Sequence, residues 1–430
     1  MCSGCGVIDI MPCGQDYQQS CQGIQSIMPL PGAPQAASKH MHLQVYGAAV
    51  RHRLELQCGI IDAPVRSAVL DGSLSSLVHL QSLSIIPVAQ QGFDIRMYTV
   101  GGLSGSTLPH LQHLTYLNVH SLDVVNLMQL HALTNLQSLD LMVADDTTII
   151  GPSCLPGLTF PASLKTLFLL SRVEPEVLSL LPTGLQELQV SCTVGGPVEG
   201  PGSFLHGMAR LQHLTSVILL GHGTVWPPPG PAYSALTASS KLVDIHVTDS
   251  YLPLGVWPHV FPAGRTLAHL TSLVLRGLED YGGSYVGNVR TSPQWGAADT
   301  SSLVSCCPSL CDLKRLPLQP GLHVSELHKL TALTGLCVQC KSAGMPHMVA
   351  ASLQGLASIT QLHNLTVSTD CAELTMAHLL PLTSLTALTV LTCNFPSGAK
   401  YFCTKQVNMQ LFIVVVPIVS VPMCSFKYLP

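Results

Sequence analysis

Apolar residues recur along most of this chain in one arrangement, L-x-x-L-x-x-L-x-L, with Val or Ile sometimes replacing Leu. It is plain in LVHLQSLSI (Leu77, Leu80, Leu83, Ile85), LQHLTYLNV (Leu111, Leu114, Leu117, Val119) and LTNLQSLDL (Leu133, Leu136, Leu139, Leu141). Further copies stand at SLKTLFL, GLQELQV, LQHLTSVIL, KLVDIHV, LAHLTSLVL, LTALTGLCV, ITQLHNLTV and LTSLTALTV, with a degraded one at SLCDLKRL. The third apolar position marks twelve of them: Leu83, Leu117, Leu139, Leu167, Leu188, Val217, Ile245, Leu273, Leu313, Leu336, Leu365 and Leu388. Their intervals run from 21 to 40 residues and average about 28. The closing x-L-x-L-x has the period of two that sends both apolar side chains of a strand to one face, and the leucines upstream turn into the same core. One repeat cannot bury that face alone, so the pattern predicts stacked coils whose strands form a parallel sheet.

On these motifs the chain resembles the leucine-rich repeat family over about residues 71–395, three quarters of its length. The resemblance implies an α/β solenoid: a leucine-rich repeat horseshoe of about twelve repeats, with a parallel sheet on the concave face and mixed short helices and turns on the convex side. The family often carries Asn or Cys three residues past the last strand leucine, where a side-chain ladder holds backbone amides. Here such positions include Val88, Leu122, Ala144 and Leu278, so the asparagine ladder is missing. A less regular solenoid that opens locally with ease is expected.

The connecting segments differ among themselves. MPHMVAASLQGLAS after Gly344 reads as a helix, as does the stretch from Asp370 to Leu380 with Asp370 as its N-cap. WPPPGPAY, Trp226 to Tyr233, reads as non-helical, because its prolines remove donors and fix φ. The 40-residue interval holds an insertion over residues 279–302, rich in Gly and Ser and without periodicity. Residues 1–70 form a Cys-containing N-terminal segment in which Tyr46 to Ile61 is a candidate cap. Residues 71–395 form the solenoid, and residues 396–430 an irregular apolar tail that is a candidate closing strand.

Composition narrows the function. Charged residues make up 10% of the chain, against about 25% in ordinary soluble domains, and mean hydropathy is +0.40. Net charge is -4, so there is no basic field to draw nucleic acid. A spanning helix needs about 20 consecutive apolar residues. The longest candidate, Leu411 to Val419, contains Pro417 and is followed by Ser420 and Pro422, which argues against a membrane anchor. The start, MCSGCGVIDIMPCGQ, has neither the basic region nor the long apolar stretch of a secretory signal, and a cytoplasmic location is expected.

Candidate metal chemistry is weak. The CxxC of Cys2 and Cys5 is followed by Cys13 and Cys21 at intervals of eight, a spacing that fits a zinc knuckle poorly. His79, His113, His213 and His269 share one repeat slot, directly before the second leucine, and read as solvent-facing residues copied with the repeat. Cys337 and Cys340 lie in a strand, which offers no helix dipole to activate a thiol. Neither metal nor cofactor is expected.

What remains is the open face of the sheet, where residues flanking the strand leucines point outward. The candidate binding residues are Tyr116, Asn118, His120, Asp140, Phe168, Leu170, Glu187, Ile218, Leu220, Asp244, His246 and Arg276, and the last repeat is expected to present Thr389 and Leu391. Phe168, Leu170, Ile218 and Leu220 form an apolar strip among polar neighbours, a composition that commonly marks a protein-binding surface. Asp244 and His246 share this face, but no activated nucleophile or oxyanion site accompanies them, so no catalytic residue is assigned. The reading is a non-enzymatic interaction scaffold that binds a protein partner on the concave face. Alternatives that the family resemblance suggests are a substrate-recognition subunit of a ubiquitin-ligase complex, although no F-box-like segment precedes residue 71, or a fragment of an immune-type receptor.

Overall fold

The three-residue spacing of the repeat leucines is a hydrogen-bonding pattern. The amide of Leu111 donates to Leu108 O and that of Leu114 to Leu111 O, both at 3.0 Å, and the same bond joins Leu133 to Leu130, Leu270 to Leu267, Leu330 to Leu327 and Leu362 to Ile359. Bonds from residue i+3 back to residue i give three residues per turn, so apolar residues at that spacing stack on one side of the chain. They then run straight into a strand. Leu111, Leu114, Leu117 and Val119 are all at most 1% exposed, and the other coils repeat this.

The computed structural model of the protein describes residues 8–9, 41–42, 53–58, 77–87, 108–120, 124–142, 149–152, 155–174, 176–191, 205, 207–220, 231–248, 255–276, 296–318, 324–340, 346–369, 376–394, 399–406 and 410–417. The Cys2, Cys5, Cys13 and Cys21 group, the N-cap at Asp370 and the insertion as far as residue 295 lie outside these residues. Contacts divide the chain into two units, Met1–Thr193 with His206–Leu214, and Val194–Leu205 with Thr215–Pro430.

In the first unit, the two-residue strands β1 (Ile8–Asp9) and β2 (Met41–His42) pair with each other. A parallel sheet is built from β3 (Arg53–Cys58), β4 (Ser82–Pro87), β5 (Tyr116–His120), β6 (Ser138–Met142), β8 (Thr166–Val173) and β9 (Glu187–Ser191), with β7 (Ile149–Ile150) on the far end of β8. Leu54, Leu83, Leu117, Leu139, Leu167 and Leu188 are partners in one continuous row. The candidate cap thus supplies β3, a strand in register with the first counted repeat.

In the second unit, β10 (Ser216–Leu220), β11 (Asp244–Thr248), β12 (Ser272–Arg276), β13 (Asp312–Leu318), β14 (Gly335–Cys340), β15 (Asn364–Thr369) and β16 (Val390–Asn394) are parallel in chain order. The core row is Val217, Ile245, Leu273, Leu313, Leu336, Leu365 and Leu391. Two antiparallel strands follow, β17 (Ala399–Gln406) against β16 and β18 (Gln410–Pro417) against β17. Most of the apolar run from Leu411 is therefore strand, and no helix among the described residues is long and apolar enough to cross a membrane.

Within each unit, described coils also hold the next through one carbonyl just before the strand. Gln81 O accepts from the amides of Thr115 (2.8 Å) and Tyr116 (3.0 Å), and Thr115 O then accepts from Gln137 and Ser138. Thr271 O does the same for Cys311 and Asp312, Cys311 O for Thr334 and Gly335, and Thr334 O for His363 and Asn364. Side chains add to it: Thr115 Oγ1 donates to Gln81 O at 3.0 Å and Thr389 Oγ1 to His363 O at 2.9 Å. On the return side, Asn135 Nδ2 reaches Gln112 O, Ser163 Oγ reaches Leu136 O and Gln361 Nε2 reaches Leu330 O, all within 2.8 Å. These bonds satisfy, coil to coil, amides and carbonyls that burial would otherwise leave without partners.

The return segments are short and mixed, as the repeat pattern implies. They include 3-10 helices at Val124–Ala132, Pro231–Thr237 and Val324–Lys329, and α-helices at Trp257–Val260, Ala297–Cys306 and Pro346–Leu356. The helix after Gly344 is as expected, and the segment following Asp370 is helical over Met376–Leu379 and then 3-10 over Leu380–Ser384. Two expectations are corrected. Of the stretch Trp226 to Tyr233 read as non-helical, residues 226–230 lie outside the described residues and Pro231 to Tyr233 begin a 3-10 helix, because a proline fits the first position of a helical turn, where its missing N–H is not needed. The insertion is not a loop to residue 302: Ala297–Cys306 is a helix whose third residue, Asp299, accepts from the Gly296 amide at 2.7 Å, and Leu303 and Cys306 enter the core.

The last repeat is corrected by three residues. Leu391, not Leu388, pairs with Leu365, so Leu391 and Cys393 face inward while Val390 is 39% exposed. The stretch LTSLTALTVLTC fits the pattern in two frames, and the turn bonds Leu385 to Leu382 and Leu388 to Leu385 carry the chain one turn further before the strand begins. Only that frame puts both Leu391 and Cys393 on the buried face of β16. The expected result is that Leu391→Ala lowers stability by about 2–5 kcal/mol, as core leucine truncations do, whereas Val390→Ala stays within about 0.5 kcal/mol. Urea midpoints followed by circular dichroism decide it; equal shifts for the two variants would return the register to Leu388.

Candidate functional site

The row of residues just before each strand leucine and the row just after it make the outer face of the sheet. In the first unit these rows run Tyr116, Ser138, Thr166, Glu187 and Asn118, Asp140, Phe168, Gln189. Tyr116, Asp140 and Phe168 are half-buried, Glu187 is exposed and Asn118 is 9% exposed, its Nδ2 donating to Tyr116 Oη at 3.4 Å. Thr166 Oγ1 donates to Glu187 Oε2 at 3.4 Å. Leu170 is half-buried at a register shift between Leu169 and Arg172. His120 ends β5 opposite Met142, and its side chain is outside the described residues. The shared histidine slot is solvent-facing as expected, with the His79 and His113 rings 5.6 Å apart.

In the second unit the rows run Ser216, Asp244, Ser272, Asp312, Gly335, Asn364 and Ile218, His246, Val274, Lys314. Ser216 Oγ donates to Asp244 Oδ2 at 2.5 Å. Leu220, Thr248 and Arg276 form a third row, in which the Arg276 side chain is outside the described residues. Phe168 and Leu170 belong to the first unit and Ile218 and Leu220 to the second, and all four are half-buried.

Sequence reasoning missed the most charged part of the second face. SLCDLKRL has two residues, not one, between its strand leucines, and both Leu313 and Leu316 are fully buried. A strand cannot place residues i and i+3 on one face. The chain resolves this with a bulge between Leu313 and Leu316, where Arg315 takes φ 63°, a left-handed conformation rare outside glycine. Lys314 and Arg315 both line the outer cleft in consequence. Lys314 Nζ bonds Asp312 Oδ2 at 2.7 Å. The signal was present in the spacing L-K-R-L, as a departure from x-L-x-L.

Gly335 lies between Asp312 and Asn364 in this row. A Cβ there would come within 2.8 Å of Asp312 Oδ1, so glycine leaves the carboxylate its place. The result is a cleft of about 530 Å³ bounded by Asp312, Lys314, Arg315, Cys337, Asn364 and Thr366. Burial raises the Cys337 thiol above its ordinary range, and a backbone bond and the charge of Arg315 draw it partly back. It is thus a protonated thiol near neutrality, and the Cys340 side chain lies outside the described residues. No group of three metal-ligating side chains gathers among the described residues.

Burial also pushes His246 below the usual imidazole range; the carboxylates of Asp244 and Asp312 raise it and the ammonium of Lys314 lowers it further. Its proton is bound more weakly folded than unfolded, so the unfolded chain takes up more protons in the window from about pH 6.5 down to the lowered folded value. Stability should fall as the pH drops through that window. A thermal midpoint measured from pH 8 to pH 5 is expected to decline less steeply in His246→Gln, and an unchanged slope would show that another group sets it.

No protein-family model matches the chain, and no curated protein does. Among solved structures it is similar to an internalin from Listeria monocytogenes, with a TM-score of 0.41 and 14% identity over 78% of this chain and 85% of that one. At that overlap the fold is established by the chain's own register. One strand per repeat, parallel pairing of successive repeat leucines within each unit, and turns of three residues before most of these strands make each unit a leucine-rich repeat solenoid.

Proposed function

We propose that the outer sheet faces of this protein bind protein partners and that the chain acts as a non-enzymatic interaction scaffold. The observation that carries this reading is the placement of Phe168 and Ile218. Each is half-buried on its own face beside polar or charged neighbours: Asp140 and Gln189 flank Phe168, and His246 lies beside Ile218. An apolar side chain held on a rigid strand among polar residues loses little conformational entropy on binding and removes apolar area from water when covered. The leucines behind the face fix its shape, so it is preorganised for a partner.

A charge at the centre of such a contact commonly costs about 2 kcal/mol or more, roughly thirtyfold in affinity. Affinity capture from the native cell, with Phe168→Glu and Ile218→Glu as separate variants of unchanged circular dichroism and melting, is expected to lose a defined set of partners from one or both. Recovery of the same partners at wild-type yield by both variants would remove the face from consideration.

A further inference from the structure

Histidine occupies the slot before the second repeat leucine in four coils, and only two of those coils are neighbours. His79 and His113 belong to the coils of β4 and β5, which pair directly, whereas Asn135 takes the slot in the next coil and Lys241 separates His213 from His269. Each of the two lies three residues before its strand, and both side chains are exposed. Stacking brings their rings to 5.6 Å between centres, with the planes tilted by 40°. Imidazole nitrogens bound at about 2.0–2.1 Å to one tetrahedral ion set their ring centres roughly 5.3 Å apart. A small side-chain rotation therefore aims one nitrogen of each ring at a shared ion. The backbone need not move, because the strand pairing and the bonds from Thr115 and Tyr116 to Gln81 O already fix the spacing of these coils. His110, one three-residue turn before His113, is exposed as well, yet no three metal-ligating side chains among the described residues surround one point.

We propose that His79 and His113 form a two-imidazole site for a divalent transition metal ion of the nickel and zinc type, with water completing its coordination. Imidazole suits these ions, whereas calcium and magnesium require oxygen donors. Ligands on adjacent coils make the ion a clamp that joins the turn before β4 to the turn before β5. In a solenoid each coil contacts only its neighbours, so a bond between two coils acts on those two. Bound metal should suppress local opening there and leave distant coils as they were. The site sits on the turns, apart from the outer sheet face, and stands or falls independently of partner binding.

The test is calorimetric titration of the full chain with Ni2+ slightly above neutral pH, in parallel with amide hydrogen exchange. Wild type should bind one equivalent more than His79→Gln or His113→Gln. The double variant should lose no more than either single one, because a lone imidazole does not chelate. His110→Gln and His269→Gln should keep the equivalent. Ni2+ should slow exchange over residues 77–87 and 108–120 in wild type and not in the two single variants. All these side chains are exposed, so their replacement leaves the core intact. Equal Ni2+ binding by wild type and His79→Gln overturns the proposal, and so does loss of the equivalent in His110→Gln. An equivalent lost from both variants with exchange unchanged would mean an adventitious ion only, and overturns the clamp.

Discussion

Every feature of this protein depends on the burial of leucines that no single coil can hide. A repeat of about 28 residues presents three or four apolar side chains to one side, and each gains about 1.5–3 kcal/mol when fully removed from water. That gain is realised only when the next coil brings its own leucines alongside. The stacking therefore dictates the parallel sheet, and the sheet dictates that residues flanking the leucines form rows on the outer face. The candidate binding surface is a by-product of core formation, positioned by side chains that never touch it.

The same constraint explains how departures from the pattern are tolerated. With the asparagine ladder missing, the coils are joined by carbonyls just before each strand, each accepting two amides of the next coil, and by Thr, Ser, Asn and Gln side chains that cross between coils. Main-chain groups can make these bonds whatever the side chain. Where an extra residue enters a strand, the leucines keep their places and the backbone yields. Leu313 and Leu316 both remain buried, and the strain falls on Arg315. The price of keeping the core intact is a left-handed arginine, and its outcome is the charged cleft.

At the end of the insertion the balance is similar. Asp299 is 1% exposed and burial raises its carboxyl above the ordinary range, while backbone amides of Gly296, Trp257 and Gly255 oppose that shift. A buried carboxylate is tolerated because it joins the start of its own helix to the preceding coil, where Trp257 and Phe261 stack at 5.9 Å. The insertion is thereby tied into the core before the next strand begins.

Much was legible in the residues alone. The period of two in each strand and of three before it identified the repeat, and eleven of the twelve marker positions are partners in the core rows, because a leucine's burial is decided locally by that spacing. The outward positions of Tyr116, Asp140, Phe168, Ile218, Asp244 and His246 followed from the same alternation. Tertiary structure decided what the local pattern left degenerate. LTSLTALTVLTC satisfies two frames, and only pairing with β15 selects the one that buries Leu391 and Cys393. Residues 53–58 carry too short an apolar signal to count as a repeat, yet they form a strand because β4 offers its edge. The cleft at Asp312, Lys314 and Arg315 combines a bulge, a missing side chain and neighbours from three strands. Such a site is a property of packed coils, since proximity across strands is set by stacking and not by any one repeat's spacing.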